Sequence, residues 1–348
     1  MSPSKKIREA SPTGILVDVL DDVERAFKAE VIRDLHKILN KTYVDSGVWA
    51  CLWIADLPRL RDIRDAARED PQAVYTEICR RSGFCIRELA SSHSPITEVV
   101  KKREVTNIQM VWSHRMSQLV GTPSQRPLSP LPENTCYTRD NRVCLISKSR
   151  FNLQIAKIVR NHFITLGIGK REQFWDALRY FWPDRVNAWE SAILQLELFA
   201  GPCGNEMCLC SHVRELWDVG YFGLKPLSKS DDGKKLRVMF YWLPEYPFSR
   251  KRDPGDVRLK ERNTACPQAC KLWNRDTEKK LASGDVLEFT TWNPSQLPLP
   301  SLELLELRWY IARLLAMSGA SNIIAADLGF HPSTLRGVDE FQAYAKSA

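Results

Sequence analysis

Two segments constrain this chain more than any others: RVCLISKSRFNLQIAKIV at 142–159 and NEMCLCSHVRELWDVGYFGLKP at 205–226. The first reads as two short strands, 142–147 and 153–159, around a loop, which makes a β-hairpin. The second reads as a strand end after Gly204 followed by a helix over 211–219. Between them lies an insertion, REQFWDALRYFWPDRVNAWESAIL. Its first helix turns Phe174, Trp175, Leu178, Phe181 and Trp182 inward. Pro183 breaks it, and Asp184 restarts a second helix carrying Val186, Trp189 and Ile193. Helical spacing explains these aromatics as core, ahead of the alternative that they stack on bases.

The flanking sequence divides by composition. Residues 15–40 carry Leu16, Leu20, Val23, Phe27, Val31, Leu35 and Ile38 at helical spacing, with Asn40 as the stop. A second helical segment is expected over 48–68, interrupted or kinked near Pro58. A third starts behind Asp70 as N-cap and Pro71 at the first turn, turning Val74, Ile78 and Cys79 inward. A fourth is expected over 96–120, ending at Gly121. The wide apolar stripes suit an internal bundle first and a partner protein second. The stretch GTPSQRPLSPLPE reads as a linker. The expected organisation is therefore a helical region over 1–120, a linker over 121–133, a main domain over 134–321 and a tail over 322–348. Strands are expected over 221–225, 236–243 and 286–290, and Leu236, Val238, Phe240 and Trp242 alternate onto one face. Ser301 caps a last helix that runs to Gly319. The fold class is α+β.

Bulk properties exclude little. The 348 residues carry a net charge of +8 and 44% hydrophobic residues, which suits a folded chain and tolerates a polyanionic partner without requiring one. Basic clusters at 101–103, 234–237 and 250–252 fit solvated faces as well as contact points. No apolar run is long enough for a membrane span, so no membrane partner is expected. No apolar stretch follows MSPSKKIREASPTG, so the chain is expected inside the cell, in the cytoplasm or nucleus, with its ten cysteines reduced. Those cysteines lack the paired spacing of a zinc site: Cys208 and Cys210 form one loose pair, Cys266 and Cys270 another. Phosphate-loop, dinucleotide and nucleophile-elbow motifs are absent.

The two segments resemble the halves of a fungal HNH-type endonuclease domain, a ββα-metal nuclease. The likeness extends over about 134–321, through FWPDRVNAW, VMFYWLP and LPLPSLELLELRWYIARLLAMSGA. The resemblance implies a first His that activates water, a second His that binds a divalent ion, and an Asn that orients the loop. The ion would neutralise the scissile phosphate. In this chain Lys157 stands at the first His position and Arg214 at the second, and Asn205 alone matches. A general base must be neutral near pH 7, and lysine titrates near pH 10.4. A guanidinium stays protonated and offers no lone pair to a metal. Losing the base alone costs about 10²–10⁴ in rate.

Three readings follow. The first is a degenerate HNH-like pseudo-enzyme with no cofactor, in which Lys157, Arg214 and the neighbouring Arg160 bind DNA or RNA, or simply remain exposed on a retained scaffold. The second is an active, divalent-metal-dependent endonuclease that recruits His212 or His162. Two positions along a helix is a turn of about 200°, so His212 is expected to face away from Arg214. The third is a repurposed scaffold serving as an accessory protein, with the N-terminal helices as its partner surface.

Overall fold

A computed structural model of the chain describes residues 22–91, 132–160, 168–199, 202–243, 246–254 and 270–327. The helix expected over 96–120, the linker to residue 131, His162 and most of the tail lie outside them.

Helix α1 (Asp22–Leu39) ends at Asn40, whose φ of 48° closes the helix in the left-handed region. Its buried stripe is Lys28, Ile32, Leu35 and Leu39, flanked by Val31. Phe27 was expected inward but is 47% exposed, because it sits about 100° round the helix from Lys28. Helix α2 (Ser46–Ile54) is buried on every side, as an all-apolar helix at the centre of a bundle must be. Asp45 caps it by accepting from the Val48 N–H at 2.9 Å. Of the interruption or kink expected near Pro58, the structure shows the interruption: two helices, α2 and α3 (Leu57–Glu69), with Pro58 in the first turn of the second. A proline that lacks an N–H belongs at a helix start, so the chain breaks there rather than bending. Helix α4 (Pro71–Ser91) begins as expected, with Asp70 accepting from the Ala73 N–H at 2.9 Å.

Downstream come α5 (Pro132–Arg139), β1 (Leu153–Lys157), α6 (Ile168–Phe181), α7 (Pro183–Phe199), a 3-10 turn (Pro202–Asn205), β2 (Glu206–Cys210) and α8 (Ser211–Val219). Then follow β3 (Phe222–Lys229), β4 (Lys235–Trp242), β5 (Trp273–Asn274), β6 (Lys279–Lys280), β7 (Val286–Thr290), α9 (Leu302–Ser318) and α10 (Ala320–Asp327). The architecture is mixed helix and sheet. Strands β3, β4 and β7 form an antiparallel sheet in the order β3-β4-β7, with Val238 opposite Leu287 and Leu236 opposite Phe289. The expected inward face of β4 is buried at all four positions. Ser301 caps α9 through the Leu304 N–H, and Gly319 ends it at φ 83°.

The hairpin is a correction. Residues 142–147 form turns, not a strand, and β1 pairs with β2 across the whole insertion: Leu153 lies opposite Cys210 and Lys157 opposite Glu206. Left-handed φ values at Asn141 and Arg142 turn the chain at the start of that segment, and another at Lys148 turns it just beyond the end. It contributes one main-chain bond to β2, from the Leu145 N–H to the Cys208 carbonyl at 2.9 Å.

Helices on both sides of the 121–133 stretch share one hydrophobic core. The Trp182 indole donates to the Ile54 carbonyl at 3.1 Å, and Arg59 donates to the Tyr180 carbonyl at 2.7 Å. Among the described residues of α1, Val31, Ile32, Leu35 and Leu39 belong to this core. The aromatics of α6 and α7 are core, as their spacing implies: Phe174, Trp175, Phe181, Trp182 and Trp189 are all buried.

Candidate functional site

The three motif positions converge on one small unit, β1–β2–α8. Asn205 is 3% exposed and serves the main chain. Its Oδ1 accepts from the Val159 N–H at 2.8 Å, and its Nδ2 donates to the Val159 carbonyl at 2.8 Å. Its own carbonyl accepts from the Ile158 N–H at 2.8 Å. Asn205 therefore splices the end of β1 to the start of β2, with its amide oxygen and its amide nitrogen both bonded to the Val159 main chain.

A second buried network holds the same turn, and nothing in the sequence pattern announced it. Arg139, with its side chain fully buried, pairs with Asp140 at 2.6 Å. Its guanidinium also donates to the carbonyls of Cys203 (2.6 Å), Pro298 (3.1 Å) and Glu206 (2.7 Å). Asp140 in turn accepts from the Cys208 N–H at 2.9 Å. The planar fork suits this work, because one side chain satisfies three carbonyls that no strand or helix reaches.

Lys157 and Arg214 lie on opposite faces of the β1–β2 ribbon. Side chains alternate along a strand, so Leu153, Ile155 and Lys157 share one face, with Cys208 and Glu206 across from them. Ile155 packs on the cluster of Cys136, Cys203 and Cys208 on that side, and the Lys157 ammonium pairs there with Glu206 at 3.1 Å. Gln154 and Ala156 point the other way, toward α8. Arg214 on α8 donates to the Gln154 side chain at 3.0 Å and reaches Asp218 at 3.5 Å. Arg160 joins the same carboxylate at 3.1 Å. Strand parity thus sets these cations apart: Arg160 and Arg214 meet across Asp218, while Lys157 pairs with Glu206 on the other face.

These positions do not fit a divalent ion. Two are cations held in ion pairs, and the third is an amide spent on the backbone. His212 is exposed on the first turn of α8, while Arg214 is half-buried two positions on. Among the described residues no three His, Cys, Asp or Glu side chains come together as an ion site.

Beside the unit lies a thiol pair. Cys210, the N-cap residue of α8, shares a hydrogen bond with the buried Cys144 thiol and lies 3.5 Å from the Ser147 hydroxyl. These donors, with the Val213 N–H and the nearby His212, lower the Cys210 thiol to about 5 against the opposing effect of burial. The bond from Cys144 and burial both push the Cys144 thiol up.

The surface next to β1 carries features that sequence reasoning missed. Phe151 is 83% exposed and Trp273 is 56% exposed. The β5–β6 hairpin that bears Trp273 is tied to the turn before Phe151 by a main-chain bond from the Arg275 N–H to the Ser147 carbonyl at 2.9 Å. Arg150, Lys271, Arg275, Lys279 and Lys280 are exposed along these two segments, with Lys148 half-buried. The acids there are Asp276 and Glu278. The sequence signal was the clustering of KSRF with KLWNRDTEKK, legible only once the fold places them side by side.

No known protein family, curated protein or solved structure matches the chain.

Proposed function

We propose that this protein is a non-hydrolytic, nucleic-acid-binding member of the HNH-like ββα class. The observation that carries the reading is the chemistry at the three motif positions. A lysine and an arginine stand at the two histidine positions, paired with Glu206 and Asp218, and the remaining asparagine is bonded to Val159. None of them supplies a neutral base or a metal lone pair. Binding is assigned to the neighbouring surface, where exposed aromatics stand among six cations and two acids. Stacking on Phe151 and Trp273 would tolerate any base, and the cations would follow the phosphates. Arg160 and Arg214 extend this positive surface only weakly, because they share one carboxylate.

The test is fluorescence anisotropy with a labelled single-stranded oligonucleotide across a salt series, beside a magnesium-supplemented plasmid-nicking assay. Log affinity should fall with log salt by about 0.7 per phosphate contacted. Trp273→Ala should weaken binding by about 5- to 100-fold, the value of one stacked base. Absence of binding at low salt, or indifference to both Trp273→Ala and Phe151→Ala, removes the binding half. Magnesium-dependent nicking removes the non-hydrolytic half.

A further inference from the structure

Two thiols distant in sequence meet at the β2–α8 junction. Main-chain bonds lay the turn over 144–152 across that junction. The Leu145 N–H donates to the Cys208 carbonyl at 2.9 Å, and the Ser211 N–H donates to the Asn152 carbonyl at 3.0 Å. The Asn152 amide adds a bond to the Ser211 hydroxyl at 2.9 Å. Cys144 and Cys210 are thereby held within one hydrogen bond of each other. Ser147 spans the pair. Its N–H donates to the Cys144 sulfur at 3.4 Å, and its hydroxyl lies 3.5 Å from the Cys210 sulfur. Both sulfurs therefore rest against one residue, on a turn pinned at both ends.

The pair is asymmetric in access and in charge. Cys144 is fully buried, whereas Cys210 is partly exposed. Cys210 stands at the N-cap of α8, where the helix end favours an anion. The bond from Cys144 lowers the Cys210 thiol most, and Ser147, the Val213 N–H and His212 add to it against burial. The bond to Cys210 and burial push the Cys144 thiol up. The outer sulfur thus carries negative charge while the inner one keeps its proton. Packing alone accounts for Cys144. It does not account for an accessible sulfur stabilised as an anion with a second thiol directly behind it. Cys136 and Cys203 supply the contrast. They too share a hydrogen bond, but both are buried and the Arg139 guanidinium lies 3.4 Å from each sulfur. A reagent reaches neither of them without opening the Arg139 network.

We infer that Cys210 is a peroxide-reactive site and that Cys144 resolves it as an internal disulfide. The Cys210 sulfur attacks one oxygen of hydrogen peroxide. The O–O bond breaks, an S–O bond forms, and the other oxygen takes up a proton and leaves as water. Cys210 becomes a sulfenic acid. Its negative charge is then gone, and the largest cause that holds the proton on Cys144 goes with it. The Cys144 sulfur attacks the Cys210 sulfur. The S–S bond forms, the S–O bond breaks, and the hydroxyl leaves as water with the Cys144 proton. Two thiols lose two electrons in all, and one peroxide is reduced to two waters. The inference is independent of the nucleic-acid reading.

The test exposes the folded full chain to hydrogen peroxide at neutral pH, quenches it with iodoacetamide, and maps its peptides by mass spectrometry without reduction. The expected product is a peptide cross-linked between Cys144 and Cys210, two hydrogens lighter than its parts. It should form before any oxidation at Cys136 or Cys203 and disappear on treatment with dithiothreitol. In Cys144→Ser the sulfenic acid at Cys210 loses its resolving thiol and should accumulate as a dimedone adduct that the parent does not retain. In Cys210→Ser, Cys144 should stay reduced. The inference is overturned if the Cys144–Cys210 peptide never forms while the chain stays folded. It is equally overturned if Cys136 and Cys203 cross-link first, or if Cys144 oxidises as fast in Cys210→Ser as in the parent. Should Cys144→Ser fail to fold, the parent map and Cys210→Ser, at the partly exposed position, decide.

Discussion

Replacing Asn205 tests whether the matched asparagine is a structural splice or a residue held for chemistry. In Asn205→Ala the Val159 N–H and carbonyl both lose their partner at 2.8 Å, in a residue that is 1% exposed. Each buried, unsatisfied main-chain group costs about 1–3 kcal/mol, so the loss should be about 2–6 kcal/mol. That is a large share of the roughly 5–15 kcal/mol by which a protein of ordinary stability is folded. Asn205→Asp refines the argument. Its carboxylate keeps an acceptor for the Val159 N–H but sets a second negative oxygen against the Val159 carbonyl. Burial and that carbonyl raise the folded-state pKa of the new acid above its unfolded value. The folded state then binds more protons than the unfolded one between the two pKa values, so stability rises as pH falls through the raised pKa and is fully regained below the unfolded one. Urea denaturation followed by tryptophan fluorescence should show the Ala variant far less stable at any pH, and the Asp variant recovering between neutral and mildly acidic pH. A loss below about 1 kcal/mol for Ala, or no pH recovery for Asp, refutes the splice. Oligonucleotide affinity of whichever variant remains folded should match that of the parent, because Asn205 presents nothing to solvent.

Two further outcomes follow from single contacts. A methyl group at Gly223 would lie 2.6 Å from the Trp309 ring, so Gly223→Ala should cost about 1–3 kcal/mol in the same denaturation assay, as overpacking does. Cys210, with its thiol lowered to about 5, should alkylate at a rate that levels off above about pH 6, while Cys144, pushed up, stays unreactive through neutral pH; mass spectrometry after iodoacetamide pulses reads both. The stabilisation from the Cys210 thiolate is present above the unfolded thiol pKa and is lost as pH falls through about 5.

Much of the secondary structure could be read from residue order, because it rests on local chemistry. Asp70 and Ser301 cap their helices through contacts three residues on, Gly319 ends α9, and β4 alternates as a strand with one face buried. The aromatic inserts of α6 and α7 declared themselves as core by spacing alone. The identities at 157, 205 and 214 likewise carry their chemical meaning without any fold, since a guanidinium is cationic wherever it stands. What residue order could not supply was set by contacts distant in sequence. β1 takes β2 rather than the adjacent 142–147 as its partner, although the whole insertion separates the two in sequence. That pairing, through the two-residue alternation of a strand, puts Lys157 and Arg214 on opposite faces. The Arg139 network and the bond that ties the β5–β6 hairpin to Ser147 likewise join segments dozens of positions apart. Their energetics are those of burial and pairing in three dimensions, which no local pattern encodes.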